Sequence, residues 1–183
     1  MALETWNFDP VHSDIGFSVR HLMISKVRGH FNKWSGSLAV DESKPEASHV
    51  SVEIDAASLD TKEEQRDNHL RSPDFLDAAT YPFIRFESTG VRKTGDAEFK
   101  VTGNLTIHGV TKPVALDVEY AGRTKDPWGG ERAGFTAKTA IDRKDYGLTW
   151  NMALEAGGLL VGDKVEINLE IEVVKAQESG TAR

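Results

Sequence analysis

Six histidines, at positions 12, 21, 30, 49, 69 and 108, are the first side chains to weigh for chemistry. None stands in an HxH or HExxH spacing, so no zinc site is legible among them, and the expected metal complement is none. His12-Ser13 follows Asp9, which invites a base–nucleophile reading. On a strand, adjacent side chains point to opposite faces, so that pair is rejected. Arg66, Asp67 and His69 sit close together where a short helix is predicted. Arg66 and Asp67 are expected to anchor that helix over one end of the fold, with His69 as a packing or lid residue near a mouth. His21 ends an apolar alternating row, where its imidazole either finds backbone partners or meets the polar end of a ligand. Gly157-Gly158 and Gly162 lack the spacing and the following helix of a phosphate cradle. The loop Asp126-Pro127-Trp128-Gly129-Gly130 carries one aromatic, either a rim contact for ligand or membrane or an ordinary turn residue.

Composition narrows the field further. The chain has 183 residues, with 22 basic and 29 acidic side chains and a net charge of −7. No basic block offsets that balance, so charge-driven binding to nucleic acid is excluded. Cysteine is absent, which removes disulfides, thiolate metal sites and cysteine nucleophiles. Apolar residues at 39% and charged residues at 28% describe an ordinary globular chain, expected as a single domain over residues 1–175 with a disordered tail over 176–183. The opening Met1-Ala2-Leu3-Glu4-Thr5-Trp6 has neither a basic segment nor an apolar run, and a cytoplasmic location is expected.

The elements that position these residues are mostly strands. Val165, Ile167, Leu169, Ile171 and Val173 alternate with Lys164, Glu166, Asn168, Glu170 and Glu172, the pattern of a half-buried antiparallel strand. Ile15, Phe17, Val19 and His21 alternate likewise against Asp14, Gly16, Ser18 and Arg20. Further strands are predicted over 28–40, 49–56, 82–92, 97–107, 112–122 and 132–143, giving eight in all joined by short polar or glycine-bearing links. Between the third and fourth strands, Thr61-Lys62-Glu63-Glu64 reads as a capping box and Ser72-Pro73-Asp74 as a second helix start. One or two short helices are therefore predicted over about residues 61–77. The stretch 152–160 is expected to be one helical turn or a flap.

Eight strands, each apolar on one face, must close or stack to avoid open edges. Closure gives an all-β, eight-stranded antiparallel barrel whose interior is either filled by side chains or holds one slender ligand. Alternation alone leaves both interiors open.

The residues also carry a family likeness. Trp6, Asp9, Val11-His12-Ser13, Ile15, Phe17, Val19 and His21 open it, followed by Gly29, Phe31 and Gly36. It continues through Ser58-Leu59-Asp60-Thr61, Arg66-Asp67, His69-Leu70, Asp74-Phe75 and Tyr81-Pro82. Gly103 with Leu105-Thr106-Ile107-His108-Gly109-Val110-Thr111-Lys112-Pro113-Val114 is the strongest stretch, and Arg143, Tyr146-Gly147 and Val161-Gly162-Asp163 complete the order. Taken in this order, over about residues 6–174, the set resembles the YceI-like family. Trp34 and Leu76 stand where many of its members have phenylalanine. The resemblance implies a lipocalin-like barrel that holds a polyisoprenoid or a similar long-chain lipid.

On this reading the protein binds, stores or transports a polyisoprenoid, an isoprenoid quinone or a similar long-chain lipid without catalysis or cofactor. A transient membrane contact and a homodimer accompany that expectation. The candidate ligand-binding side chains are Phe17, Val19, His21, Phe31, Trp34, Val52, Ile54, Phe75, Phe86, Leu105, Phe135, Trp150, Leu154, Leu160, Ile167 and Leu169. Two other functions compete: an enzyme acting on a lipid inside the barrel, with His21 in proton transfer, and an interaction module whose barrel is packed solid.

Overall fold

A computed structural model describes residues 3–177. Eleven strands form one antiparallel sheet: β1 (Glu4–Phe8), β2 (Asp14–His21), β3 (Ser25–Phe31), β4 (Trp34–Val40), β5 (His49–Asp55), β6 (Leu59–Asp60), β7 (Phe83–Lys93), β8 (Glu98–Ile107), β9 (Val110–Lys125), β10 (Glu131–Asp142) and β11 (Val161–Lys175). These amount to eight staves, because the first three are each broken in two. β1 and β2 both pair with β11, β3 and β4 pair with β2 and β1, and β6 and β5 pair with β3 and β4. From β5 the sheet runs through β7, β8, β9 and β10 back to β11, so the barrel is closed, with an edge left at the two-residue β6, which pairs with β3 alone among the described strands.

The breaks have local causes. Pro10 has no N–H for the ladder, and the chain makes a single helical turn at Pro10–His12, capped by Asp9, whose carboxylate accepts from Val11 N. Ladder bonding resumes through a side chain: Ser13 Oγ accepts from Glu172 N at 3.0 Å and donates to Glu172 O at 3.2 Å. His12 and Ser13 therefore belong to a turn and its exit rather than to a strand. They remain unpaired with each other because each is engaged elsewhere, His12 with Asp9 and Ser13 with the Glu172 backbone. The third stave breaks at the turn Ala56–Ser58, beside the gap at Asn32 and Lys33 in the second. Adjacent staves thus bend together.

The strand β1, carrying Trp6 and Phe8, was not expected from alternation; a five-residue strand offers too few repeats to show it. One helix, α1 (Glu64–Arg71), follows β6. Its cap is Glu63, which accepts from Gln65 N and Arg66 N, so the helix starts later than the capping-box reading placed it. Thr61 turns instead to Asp67, which accepts from both its backbone N–H and its hydroxyl. Ser72 ends α1, and residues 72–76 form successive turns rather than a second helix. The predicted tail lies mostly outside the described residues; Ala176 within them donates its N–H to Thr5 O. No helix among the described residues is long and apolar enough to cross a membrane.

Around the first bend, Arg132 Nη1 bonds Asp9 at 2.8 Å and Glu172 at 2.9 Å, tying β10 to the turn and to β11. His12, then Arg132, hold the Asp9 carboxyl down to about 2. A carboxyl depressed on folding contributes stability above its ordinary value near 4 and loses it as pH falls through about 2. The cluster is solvent-screened, so we expect Asp9→Asn to cost about 1 kcal/mol at neutral pH. In denaturant titrations of parent and variant, the difference should shrink towards zero between roughly pH 4 and pH 2. A difference independent of pH would contradict the role given to this carboxylate.

Candidate functional site

The alternating faces meet inside the barrel, but they do not fill it. A cavity of about 1030 Å³ runs along the interior, walled by apolar side chains from every stave and bounded by polar groups towards its two ends. Two compact clusters flank it. Phe86, Leu105, Ile107, Tyr146 and Leu148 lie in one, and Trp6, Ala133 and Val173 in the other. Between them Phe135, Leu116, Ile167 and Leu169 face inward yet remain only half-buried, because their remaining surface borders the cavity.

Two glycines help keep the axis open. A Cβ on Gly29 would fall 2.3 Å from Phe17 Cζ, and one on Gly103 would fall 2.4 Å from Phe86 Cζ. Both rings therefore lie across bare backbone on the neighbouring stave, flat to the wall. The Phe17 ring also packs against Phe31 at 5.5 Å.

Fifteen of the sixteen predicted side chains line this cavity: Phe17, Val19, His21, Phe31, Trp34, Val52, Ile54, Phe75, Phe86, Leu105, Phe135, Trp150, Leu160, Ile167 and Leu169. Leu154 does not. It is held in a tight turn of the 152–160 flap, where its N–H donates to Gly158 O and its C=O accepts from Gly157 N. Glycines at positive φ, Gly157 and Gly158, make that turn, and the expected alternative of a helical turn does not form. Trp6, Phe8, Leu38 and Val40 also line the cavity and escaped sequence reading, since they sit on short pieces of broken staves.

At one end α1 covers the barrel. Arg66 reaches back to Thr61, donating from Nε to the hydroxyl and from Nη2 to the carbonyl, both at 2.7 Å. Arg71 donates to Ala57 O and Leu59 O, so the helix is tied down at both its ends, as Arg66 and Asp67 led one to expect. His69 lines the cavity, 2.9 Å from Asp74 Oδ2, with its ring edge-on to Trp150 at 4.6 Å and to Phe75 at 5.1 Å. His21 lies at the same end on β2, opposite Val161 of β11. At the other end Arg123 bonds Glu42, Glu131 and Glu4, while its guanidinium stands 5.0 Å over the Trp6 ring. Those carboxylates, Glu42 first, raise the Arg123 pKa further.

Arg143 is a buried charge at the helix end of the site. Its guanidinium donates to the carbonyls of Leu148, Trp150, Val161 and Gly162, clamping both ends of the 148–162 segment against the barrel. Burial lowers its pKa from the arginine value, but a guanidinium stays charged at any pH the fold survives.

A grouping of the kind that could hold a cation stands away from the cavity. Asp9, His12 and Glu172 bring ligand atoms within 4.8 Å of one another, a set drawn from opposite ends of the chain and so invisible in sequence spacing. Arg132 already bonds both carboxylates and offsets part of their charge.

The clamp can be tested directly. Arg143→Met keeps a long apolar stem and takes the guanidinium donor from four carbonyls, of which Val161 O keeps Asn151 Nδ2 at 2.7 Å, so we expect a loss of about 2–4 kcal/mol in denaturant stability. Amide exchange should accelerate most in residues 148–162; uniform acceleration across the barrel would contradict the clamp.

Comparison with known proteins agrees with this geometry. Residues 6–173 match the model of the YceI-like domain. A UPF0312 protein of Azotobacter vinelandii is 47% identical over 137 residues, covering 75% of this chain and 71% of that protein. The crystal structure of the Campylobacter jejuni YCEI protein superposes with a TM-score of 0.73 at 34% identity, over 87% of this chain and 90% of that one. A Saccharophagus degradans structure, described as a polyisoprenoid binding domain implicated in plant cell wall breakdown, superposes with a TM-score of 0.66 at 16% identity, over 95% and 99% of the two chains. Closed barrel, order of motifs and extent of match agree, and the chain belongs to the YceI-like family.

Proposed function

We infer that this protein binds a polyisoprenoid, an isoprenoid quinone or a similar long-chain lipid in the barrel cavity, and that it stores or carries that molecule without altering it. The hollow apolar interior carries the inference. A cavity of about 1030 Å³ walled by hydrocarbon and aromatic rings has no use for a polar substrate, and water gains little by filling it. The polyisoprenoid binding described for the Saccharophagus degradans domain, on the same fold, supports the choice of ligand. Burying about 400 Å² of prenyl surface supplies on the order of 10 kcal/mol before the cost of ordering the chain. Apolar walls discriminate weakly between similar chains, so the polar groups at the ends set the head-group preference. His21 and His69 at the helix end offer imidazole hydrogen bonds to a quinone carbonyl or an amide.

Tryptophan fluorescence reads this binding. Trp6, Trp34 and Trp150 line the cavity, whereas Trp128 is exposed on the β9–β10 turn. Titration with a long-chain isoprenoid quinone should quench most of the emission and leave the Trp128 fraction. Ala137, a small wall residue on β10, can be enlarged without introducing a charge. Ala137→Phe should weaken quenching at least about tenfold while denaturant stability stays within roughly 1 kcal/mol of the parent. Equal quenching in parent and variant, or none in the parent, would overturn the reading.

A further inference from the structure

The helix end of the cavity opens beside an apolar lip that ordinary turn chemistry does not explain. The β2–β3 hairpin turns through Leu22-Met23-Ile24, with φ of 55° at Leu22 and 65° at Met23. Left-handed backbone of this kind is the province of glycine and asparagine, and branched or long apolar residues adopt it at a cost. Here that cost is borne in order to point apolar side chains at solvent: Ile24 is 83% exposed and Met23 55%. The flap beside it adds Met152, 56% exposed, and Leu159. Hairpin and flap are joined, since Leu22 N donates to Leu160 O and Met23 lies against Gly158. The lip is continuous with the cavity wall through His21, Trp150 and Leu160.

Charge is distributed around the lip in a telling way. On the outer face of the same hairpin, Arg20 and Arg28 are exposed and have no carboxylate partner among the described residues, while Lys26 bonds Glu166 at 3.1 Å. Glu155 on the flap, Asp163 on β11 and Glu63 and Glu64 at the start of α1 are opposing charges at the same end. In a chain of net charge −7, a protruding apolar tip backed by unpaired arginines matches the layering of a bilayer surface, with acyl chains innermost and anionic head groups above them.

We propose that the Leu22–Ile24 hairpin and the 152–160 flap form a docking lip that seats the helix end of the barrel on a bilayer containing anionic lipid, so that a prenyl chain passes between membrane and cavity without crossing water. The partner is a lipid surface, and the purpose of the docking rests on the lipid-binding reading above; the docking itself does not.

Flotation of the full chain with vesicles separates the two. With phosphatidylcholine vesicles containing a minority of phosphatidylglycerol, the parent should float, and Ile24→Asp should weaken flotation about tenfold, since a buried isoleucine contributes at least that much. Arg20→Gln with Arg28→Gln should remove the part of binding that salt screens. Ile24 is exposed, so its replacement should leave the fold and the quinone quenching of the free protein unchanged. Flotation that is equal in parent and Ile24→Asp would overturn the proposal. A parent dimer in sedimentation that Ile24→Asp converts to monomer, without parent flotation, would also overturn it and assign the lip to a second copy of the chain. Flotation without quinone quenching would uphold the lip and sink the cavity reading alone.

Discussion

Closure of the sheet at β11 is the constraint from which the rest follows. β11 is 15 residues long and must satisfy two neighbours at once, β10 along one side and the two halves of the first stave along the other. At about 3.3 Å per residue and a tilt near 40°, such a stave makes a barrel on the order of 40 Å tall. The turn at Pro10–His12 lets β1 and β2 meet β11 in two registers, and the matching breaks in the second and third staves carry the bend around the barrel. The Asp9–Arg132–Glu172 cluster holds that bend on the outside, where screening keeps its contribution modest.

A closed barrel of eight staves can fill itself with side chains, and this one does so only in part. Phe17 and Phe86 are large enough to reach the axis. They lie instead over Gly29 and Gly103, so two of the bulkiest inward residues thicken the wall and spare the middle. The cavity is thus a consequence of where glycines stand opposite aromatic rings. It also agrees with the distribution of charge, since ionisable groups reach the cavity towards its ends, among them His21, Arg66, His69 and Arg143 at one and Asp41, Glu42, Lys93 and Arg123 at the other. A charge midway along the wall would be desolvated with no partner. Function on this account is absence of packing held open by a rigid, hydrogen-bonded circuit, with α1 and the clamped 148–162 segment governing one end.

Much of this was legible in residue order, and the rest was not for physical reasons. Val165, Ile167, Leu169 and Ile171 show a period of two over enough repeats to mark a wall, and all four border the cavity. The piece carrying Trp6 and Phe8 is too short for that signal, and Asp9-Pro10 ends it before a pattern accumulates. Thr61 reads as a helix cap by type and spacing, but the tertiary partner Asp67 takes its hydroxyl and Glu63 caps the helix. Leu154 belongs by composition with the wall, yet a turn built on Gly157 and Gly158 directs it elsewhere. Arg143 was visible as part of a motif; that it grips four carbonyls of one segment could only be seen in three dimensions.

Native mass spectrometry of the full chain, purified from cells without detergent and paired with organic extraction, measures the central claim most directly. The account predicts a species heavier than the bare chain by a single long-chain isoprenoid, released into the organic phase and regained when a polyprenyl lipid is added back. A bare chain mass, an extract free of such lipid and no adduct on adding polyprenyl lipid would contradict it.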